Sequence, residues 1–249
     1  MKTTIGNPAI RVRELVKSFG EQVVLNRIDL EVSHAETLAI LGRSGAGKSV
    51  LLKLIVGLQK PEAGSIEVTG EEISELSLDR LNQVRKKIGF SFQYSALYDS
   101  LTVEENVAFP LRRHTNMSAV ERRSRVQELL SRVGMEDAAA KLPAEISGGM
   151  KKRVGLARAL ALNPEIMLLD EPTAGLDPIT AGEINDLLLN LHQELSVSAV
   201  MVTHDMRSAR TVSNRLALLH EGNILIEGSF EDLKQSDHPF VLEFLKQVS

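Results

Sequence analysis

Two spacings of apolar residues alternate along this chain. From Ile10 to Val32 the spacing is two: Ile28, Leu30 and Val32 are separated by Asp29 and Glu31, as in a half-buried strand, and a turn at Gly20-Glu21 divides the run. Thr37 to Leu41 is apolar without alternation, which predicts a strand covered on both faces. Gly64–Gly70, Lys87–Phe92, Ile166–Asp170, Ser198–Thr203, Leu216–Leu219 and Ile224–Ile226 read as further strands. The helical spacing appears in Val126, Leu129, Leu130 and Val133, and again in Ile184, Leu187, Leu188, Leu191 and Leu195. Lys48–Leu58 reads as a helix apolar nearly all round. A basic helix runs from about Lys151 to Leu162, with a start signal near Ile146-Ser147 and a stop at Asn163-Pro164. Strands alternating with helices predict an α/β fold with a mostly parallel sheet, into which a helical block from about Tyr94 to Leu160 is inserted.

At 249 residues the chain has room for one or two domains, each with a substantial core. It contains 29 Lys and Arg against 33 Asp and Glu, a net charge of −4, and only 4% aromatics. Such a chain is poorly suited to coating a nucleic-acid backbone or stacking on bases. The absence of cysteine excludes disulfides, thiol catalysis and thiolate metal sites. The most apolar stretch, Val50–Leu58, is short and interrupted by Lys53, whereas a spanning helix needs about 20 apolar residues. Met1–Ile10 has no apolar core of signal-peptide length. A cytoplasmic chain, held at a membrane only through a partner, is the expectation.

The chemistry begins after the Thr37–Leu41 strand. Gly42-Arg43-Ser44-Gly45-Ala46-Gly47-Lys48-Ser49 satisfies G-x-x-x-x-G-K-[ST] at every fixed position. Glycines let successive N–H groups turn inward onto phosphate oxygens, and the helix that follows adds its positive end. Lys48 supplies a point charge for the β- and γ-phosphates, and Ser49 a hydroxyl ligand for Mg²⁺. This loop alone leaves kinase, GTPase and transporter ATPase open.

Ile166-Met167-Leu168-Leu169-Asp170-Glu171 is an apolar run closed by two acids. Alone it could be a strand ending in a solvated turn. Beside the phosphate-loop strand it would bring Asp170 to the Mg²⁺ and its water shell, and Glu171 to the γ-phosphate, where a carboxylate can polarise an attacking water.

Ile146-Ser147-Gly148-Gly149-Met150-Lys151-Lys152-Arg153 separates the nucleotide-binding classes. It resembles the signature segment of ATP-binding-cassette (ABC) ATPases, with Ser147, Gly148 and Gly149 matching the core of that motif and Met150 standing where Gln is usual. The resemblance extends from about Ile10 to Gly228. Gln93 follows the Ile88–Phe92 strand where the family has its Q-loop. Ala174-Gly175-Leu176-Asp177 resembles the D-loop, His204 the switch histidine, and Phe19 the aromatic residue that stacks on adenine.

That resemblance implies an ABC-type P-loop fold with a RecA-like, mostly parallel core sheet, an antiparallel β subdomain and a helical insert. It implies one ATPase domain over residues 8–245, with its core in 8–93 and 161–230 and its helical subdomain at about 94–160; a helical tail would occupy 231–249. ATP and Mg²⁺ are the implied cofactors. Gly42, Arg43, Ser44, Gly45, Ala46, Gly47, Lys48, Ser49 and Val50 would hold the nucleotide together with Phe19 and Gln93. Ser49, Gln93 and Asp170 would serve the metal, and Glu171, His204 and Lys48 the hydrolysis. In the family two subunits pair head to tail, so Ser147, Gly148, Gly149 and Asp177 would act on the nucleotide of a second copy in a homodimer.

With no spanning segment, a transporter of this kind needs a separate permease. Tyr94–Tyr98, Leu101–Val103 and Phe109–Leu111 lie where the family docks one. Ser-Gly-Gly-Met-Lys-Lys-Arg, Asp177-Pro178-Ile179-Thr180 and Pro239–Leu245 are similar to the ATPases of Mla-type phospholipid transporters. Those transporters act at the inner membrane with MCE-domain proteins and a small STAS-domain protein, and in them the tail can reach the neighbouring ATPase. The ATPase of another importer, for example one for amino acids, is the alternative. A nucleic-acid ABC protein is disfavoured, because the chain has no tandem cassette, long coiled coil or zinc cysteines.

Overall fold

The computed structural model describes residues 7–247. Two strands, β1 (Ile10–Phe19) and β2 (Gln22–Val32), form an antiparallel hairpin across the expected Gly20-Glu21 turn. With β4 (Ala63–Val68) and β5 (Glu71–Glu72) they make a four-stranded antiparallel sheet in the order β2-β1-β4-β5. The second sheet has six strands. Its members are β3 (Thr37–Leu41), β6 (Ile88–Ser91), β7 (Ile166–Asp170), β8 (Ser198–Thr203), β9 (Arg215–His220) and β10 (Asn223–Gly228). Their order is β10-β9-β3-β8-β7-β6, parallel throughout except for the β9–β10 hairpin.

The central strands β3, β7 and β8 are buried along their whole length, which is why their sequences do not alternate. Period two is still present, but it divides apolar from apolar. Leu38, Ile40, Ile166, Leu168, Val200 and Val202 belong to a core shared with the antiparallel sheet and helix α1 (Lys48–Ile55). Ala39, Leu41, Met167, Leu169, Ala199 and Met201 face the opposite core. That second core takes in the helical block, α3 (Val103–His114), α4 (Ala119–Arg132) and α5 (Gly148–Ala159), and also α6 (Pro178–Leu195) and α7 (Met206–Val212). Helix α2 (Leu78–Arg85) touches the first core only through the buried Val84 and the partly buried Leu81, too faint a stripe for periodicity to detect.

Several boundaries differ from the expected ones. Helix α1 stops at Ile55 rather than Leu58, because Gly57 takes φ 68° and turns the chain out of the helix. Helix α5 starts at Gly148 rather than Lys151, since the Ser147 side chain caps it by accepting from the Met150 amide at 3.2 Å. The tail is two helices, α8 (Phe230–Lys234) and α9 (Pro239–Gln247), and its last two residues lie outside the described range. Helix α9 packs against its own chain. Val241 and Phe244 are buried, Phe240 stacks on His220 at 3.5 Å, and Glu243 pairs with Arg43 of the glycine-rich loop at 2.6 Å.

Leu168→Ala, in the middle of a doubly covered strand, is expected to destabilise the protein by about 2–5 kcal/mol in urea unfolding. Val120→Ala, on the exposed face of α4, is expected to stay within about 0.5 kcal/mol of the parent.

Candidate active site

The glycine-rich loop occupies the turn between the end of β3 and the start of α1. Two of its glycines are required by close approach. A Cβ on Gly42 would stand 2.5 Å from the Leu219 carbonyl oxygen, and one on Gly47, at φ 101°, would stand 3.0 Å from the carbonyl oxygen of Val24. The loop is therefore pressed between β9 and the antiparallel sheet. Lys48 is buried and folds back across the loop, donating to the carbonyls of Gly42 at 2.8 Å and Arg43 at 3.2 Å.

Strand β7 delivers the two acids beside it. The Ser49 hydroxyl donates to Asp170 Oδ1 at 2.8 Å. Burial pushes the Asp170 carboxyl above its usual range; the Ser49 hydrogen bond opposes the shift and the Glu171 charge adds to it. Glu171 takes up φ 47°, a left-handed conformation in which its amide donates to the Val202 carbonyl at 2.9 Å. Its buried carboxylate faces Lys48 Nζ at 3.4 Å. The other carboxylate oxygen accepts from the Thr203 hydroxyl at 3.2 Å and lies 2.9 Å from His204 Nδ1.

Lys48, Ser49, Glu171 and His204 open onto one cleft of about 700 Å³. Arg43, Ser44, Gly45, Gly47, Lys48, Ser49, Val50, Gln93, Glu171 and His204 line it, with Phe19 at one side, so residues far apart in sequence converge here. Gly42, Ala46 and Asp170 do not line the cleft; Asp170 is buried behind Ser49, whose hydroxyl it binds. Three residues not singled out from sequence also line it: Gln22, Val24 and Phe244 of the tail. Two more support it from behind, Thr203 and Lys152. Ser147, Gly148, Gly149 and Asp177 are not brought to the cleft. Ser147 is committed to capping α5. Asp177 caps α6, accepting from the amides of Ile179 and Thr180 and from the Thr180 hydroxyl. That hydroxyl, first among these donors, holds the Asp177 carboxyl below its usual range.

The donor set at the acid end is a hydroxyl, a carboxylate and an amide, all oxygen ligands suited to a hard cation such as Mg²⁺. Among the described residues no group of three His, Asp or Glu forms a closed metal cage. This fits a metal held partly by nucleotide phosphates and water rather than by protein alone.

A carboxyl with a folded-state pKa above its unfolded value binds its proton more tightly in the fold. Its contribution to stability therefore falls as pH rises from the unfolded value through the raised folded one. Asp170→Asn is expected to raise the melting temperature of the nucleotide-free protein at pH 7 by about 2–4 °C, with the gain shrinking in acid, while lowering magnesium-dependent nucleotide turnover. Calorimetry across pH, alongside a phosphate-release assay, checks both halves.

Comparison with known proteins agrees with this geometry. The family described as ABC transporter matches residues 25–174. The chain is 42% identical over 237 residues to a probable ribonucleotide transport ATP-binding protein of Mycobacterium leprae, covering 95% of this chain and 68% of that protein. It is 42% identical over 221 residues to the methionine import ATP-binding protein of Brucella abortus, covering 89% of this chain and 60% of that one. The chain thus spans about two thirds of the length of these relatives. Among solved structures it is similar to a dimeric post-hydrolysis ATP-binding cassette bound to ADP and Pi. The TM-score is 0.82 at 37% identity, over 88% of this chain and 98% of that one. A Clostridium perfringens component of an ABC transporter complex gives TM-score 0.85 at 30% identity, over 98% and 95% of the two chains. The loop, the paired acids and these matches together show that the chain belongs to the ABC transporter family, as its ATP-binding and ATP-hydrolysing cassette with Mg²⁺ as the metal of the nucleotide.

Proposed function

We propose that the chain drives a membrane transporter as one of two identical ATPase subunits, and that the cargo is phospholipid, moved by a transporter of the Mla type. The observation that carries the ATPase half is the Glu171 carboxylate, buried at the lip of the phosphate cleft between Lys48 and His204. In this reading Lys48 and the loop N–H groups bind the phosphates, and Phe19 offers an apolar face to adenine. Ser49 and Gln93 would hold the Mg²⁺ of the nucleotide, with Asp170 behind Ser49 orienting its water shell, and the metal would supply charge neutralisation at the phosphates. Glu171 accepts a proton from the attacking water, while Thr203 and His204 orient its carboxylate and His204 contacts the γ-phosphate.

Ser147, Gly148 and Asp177 are exposed and outside the cleft of their own chain, which supports the reading that they complete the site of a second copy. The structural relative bound to ADP and Pi is itself dimeric. Among the described residues no helix is long and apolar enough to cross a membrane, so a separate permease would supply the pathway. Tyr94, 86% exposed beside Gln93, and the Tyr98 and Phe109 rings, 4.6 Å apart, offer it an aromatic docking face. The cytoplasmic face of an inner membrane, with MCE-domain and STAS-domain partners, follows from the sequence similarity to Mla-type ATPases. The names of the ribonucleotide and methionine transport relatives favour a second reading, the import of a small solute.

Glu171→Gln is expected to bind nucleotide within about twofold of the parent, to lose turnover by about 10²–10⁴-fold, and to sediment as a dimer with MgATP. Lys48→Ala is expected to lose nucleotide affinity itself. Phospholipid bound in native mass spectra of the purified membrane complex supports the lipid reading. A periplasmic solute-binding protein in that complex, without lipid, supports the other.

A further inference from the structure

Lys152 is a buried lysine on α5, 6% exposed, and it hydrogen-bonds two backbone carbonyls from distant segments. Its ammonium donates to the Gln93 carbonyl at 2.6 Å and to the Glu171 carbonyl at 2.9 Å. The two carbonyl oxygens therefore cannot separate by more than the sum of these distances while both bonds persist. Lys152 is also the first residue of a stripe with spacing three along one face of α5. Gly155 comes next, and a Cβ there would stand 3.2 Å from Ser95 Cβ, so the absence of a side chain lets the 93–96 loop lie against the helix. Arg158 follows, donating to the carbonyls of Ala96, at 2.7 Å, and Ser95. The stripe thus clamps the segment that carries Gln93 and the exposed Tyr94, and Lys152 alone in it also reaches the acid turn.

At that turn both backbone groups of Glu171 are held, the amide by the Val202 carbonyl and the carbonyl by Lys152 at 2.9 Å and, less closely, by the Ala174 amide at 3.2 Å. A non-glycine residue at φ 47° occupies a sparsely populated conformation and persists only where its surroundings over-determine it. Fixing both groups fixes the direction in which the carboxylate leaves the backbone. Burying an ammonium is costly, and burial lowers the affinity of Lys152 for its proton against the pull of the Glu171 and Asp170 charges. A packing role would be met by an apolar side chain of similar length without that cost.

We infer that Lys152 is a positioning residue for hydrolysis, holding the Gln93 and Glu171 carbonyls on one ammonium so that the Glu171 carboxylate stays aligned and is tied to the loop bearing Tyr94. The inference rests on the reading of Glu171 as the group that activates water.

The test compares Lys152→Met and Lys152→Arg in the full chain by steady-state ATP hydrolysis, MgADP affinity and melting temperature. Lys152→Met is expected to lower kcat by about 10- to 100-fold, the scale of a misplacement near 1 Å, with KM and MgADP affinity within about twofold; the Gln93 carbonyl, left without its donor, lowers the melting temperature by a few degrees. Lys152→Arg, which keeps a charged donor, is expected to recover most of kcat. Parental kcat in Lys152→Met overturns the inference. So does a loss of kcat that travels with MgADP affinity and is not rescued by Arg, which marks structural support only. Absence of ATP turnover in the parent chain would instead strike at the ATPase reading itself.

Discussion

Two opposite charges withdrawn from water, Lys48 and Glu171, are the condition on which the cleft rests. Either one alone in this place would carry a desolvation penalty of several kcal/mol. Together, 3.4 Å apart and each with further partners, they are tolerated. This pairing constrains everything around it. The lysine has to follow a loop tight enough to fold it back on itself, and the glutamate has to leave its strand at a left-handed turn. The two strands that deliver them, β3 and β7, have to be held in register, and β8 lies between them and pairs with both. Sheet order is therefore part of the site and not merely its support.

Much of this was legible in the sequence because it lies in local pattern. The loop needs glycines at set positions, a doubly covered strand needs an unbroken apolar run, and acids closing such a run are conspicuous. Gln93, His204 and Phe19 were legible by another route, their order relative to those landmarks. What escaped depended on the phase of a helix or on contacts distant in sequence. Lys151 and Lys152 are neighbours of the same type, and only the start of α5 at Gly148 decides which is buried. Two glycines in the first turn obscured that start, since glycine is a poor helix former and the cap at Ser147 compensates for it. The tail escaped for the second reason. Phe240 and Phe244 are plainly apolar, but their seat beside Arg43 and His220 is fixed by contacts that no local window contains.

Helix α5 links the two kinds of chemistry in the molecule. Its N-terminus carries the exposed Ser147 and Gly148, its inner stripe grips the loop from Gln93 to Ala96, and its buried lysine reaches the acid turn. A rigid element touching a surface loop at one face and a reacting group at the other transmits displacement between them without any flexible intermediary. The helical block is thus more than a decoration on the sheet, since its innermost helix forms part of the wall behind the cleft.

The strand order also governs how the molecule comes into being. Ser49 and Asp170, bonded at 2.8 Å, are 121 residues apart in the chain, and β3 pairs only with strands from the last quarter, β8 and β9. During synthesis the glycine-rich loop emerges early, with neither flanking strand yet made and nothing for its lysine to face. Closing such distant pairs is entropically slow, so β3 stays without its sheet neighbours until β8 and β9 have been made. The nucleotide pocket therefore takes shape only after segments far downstream of its glycine-rich loop have joined it, since Glu171 and His204 come from β7 and the end of β8.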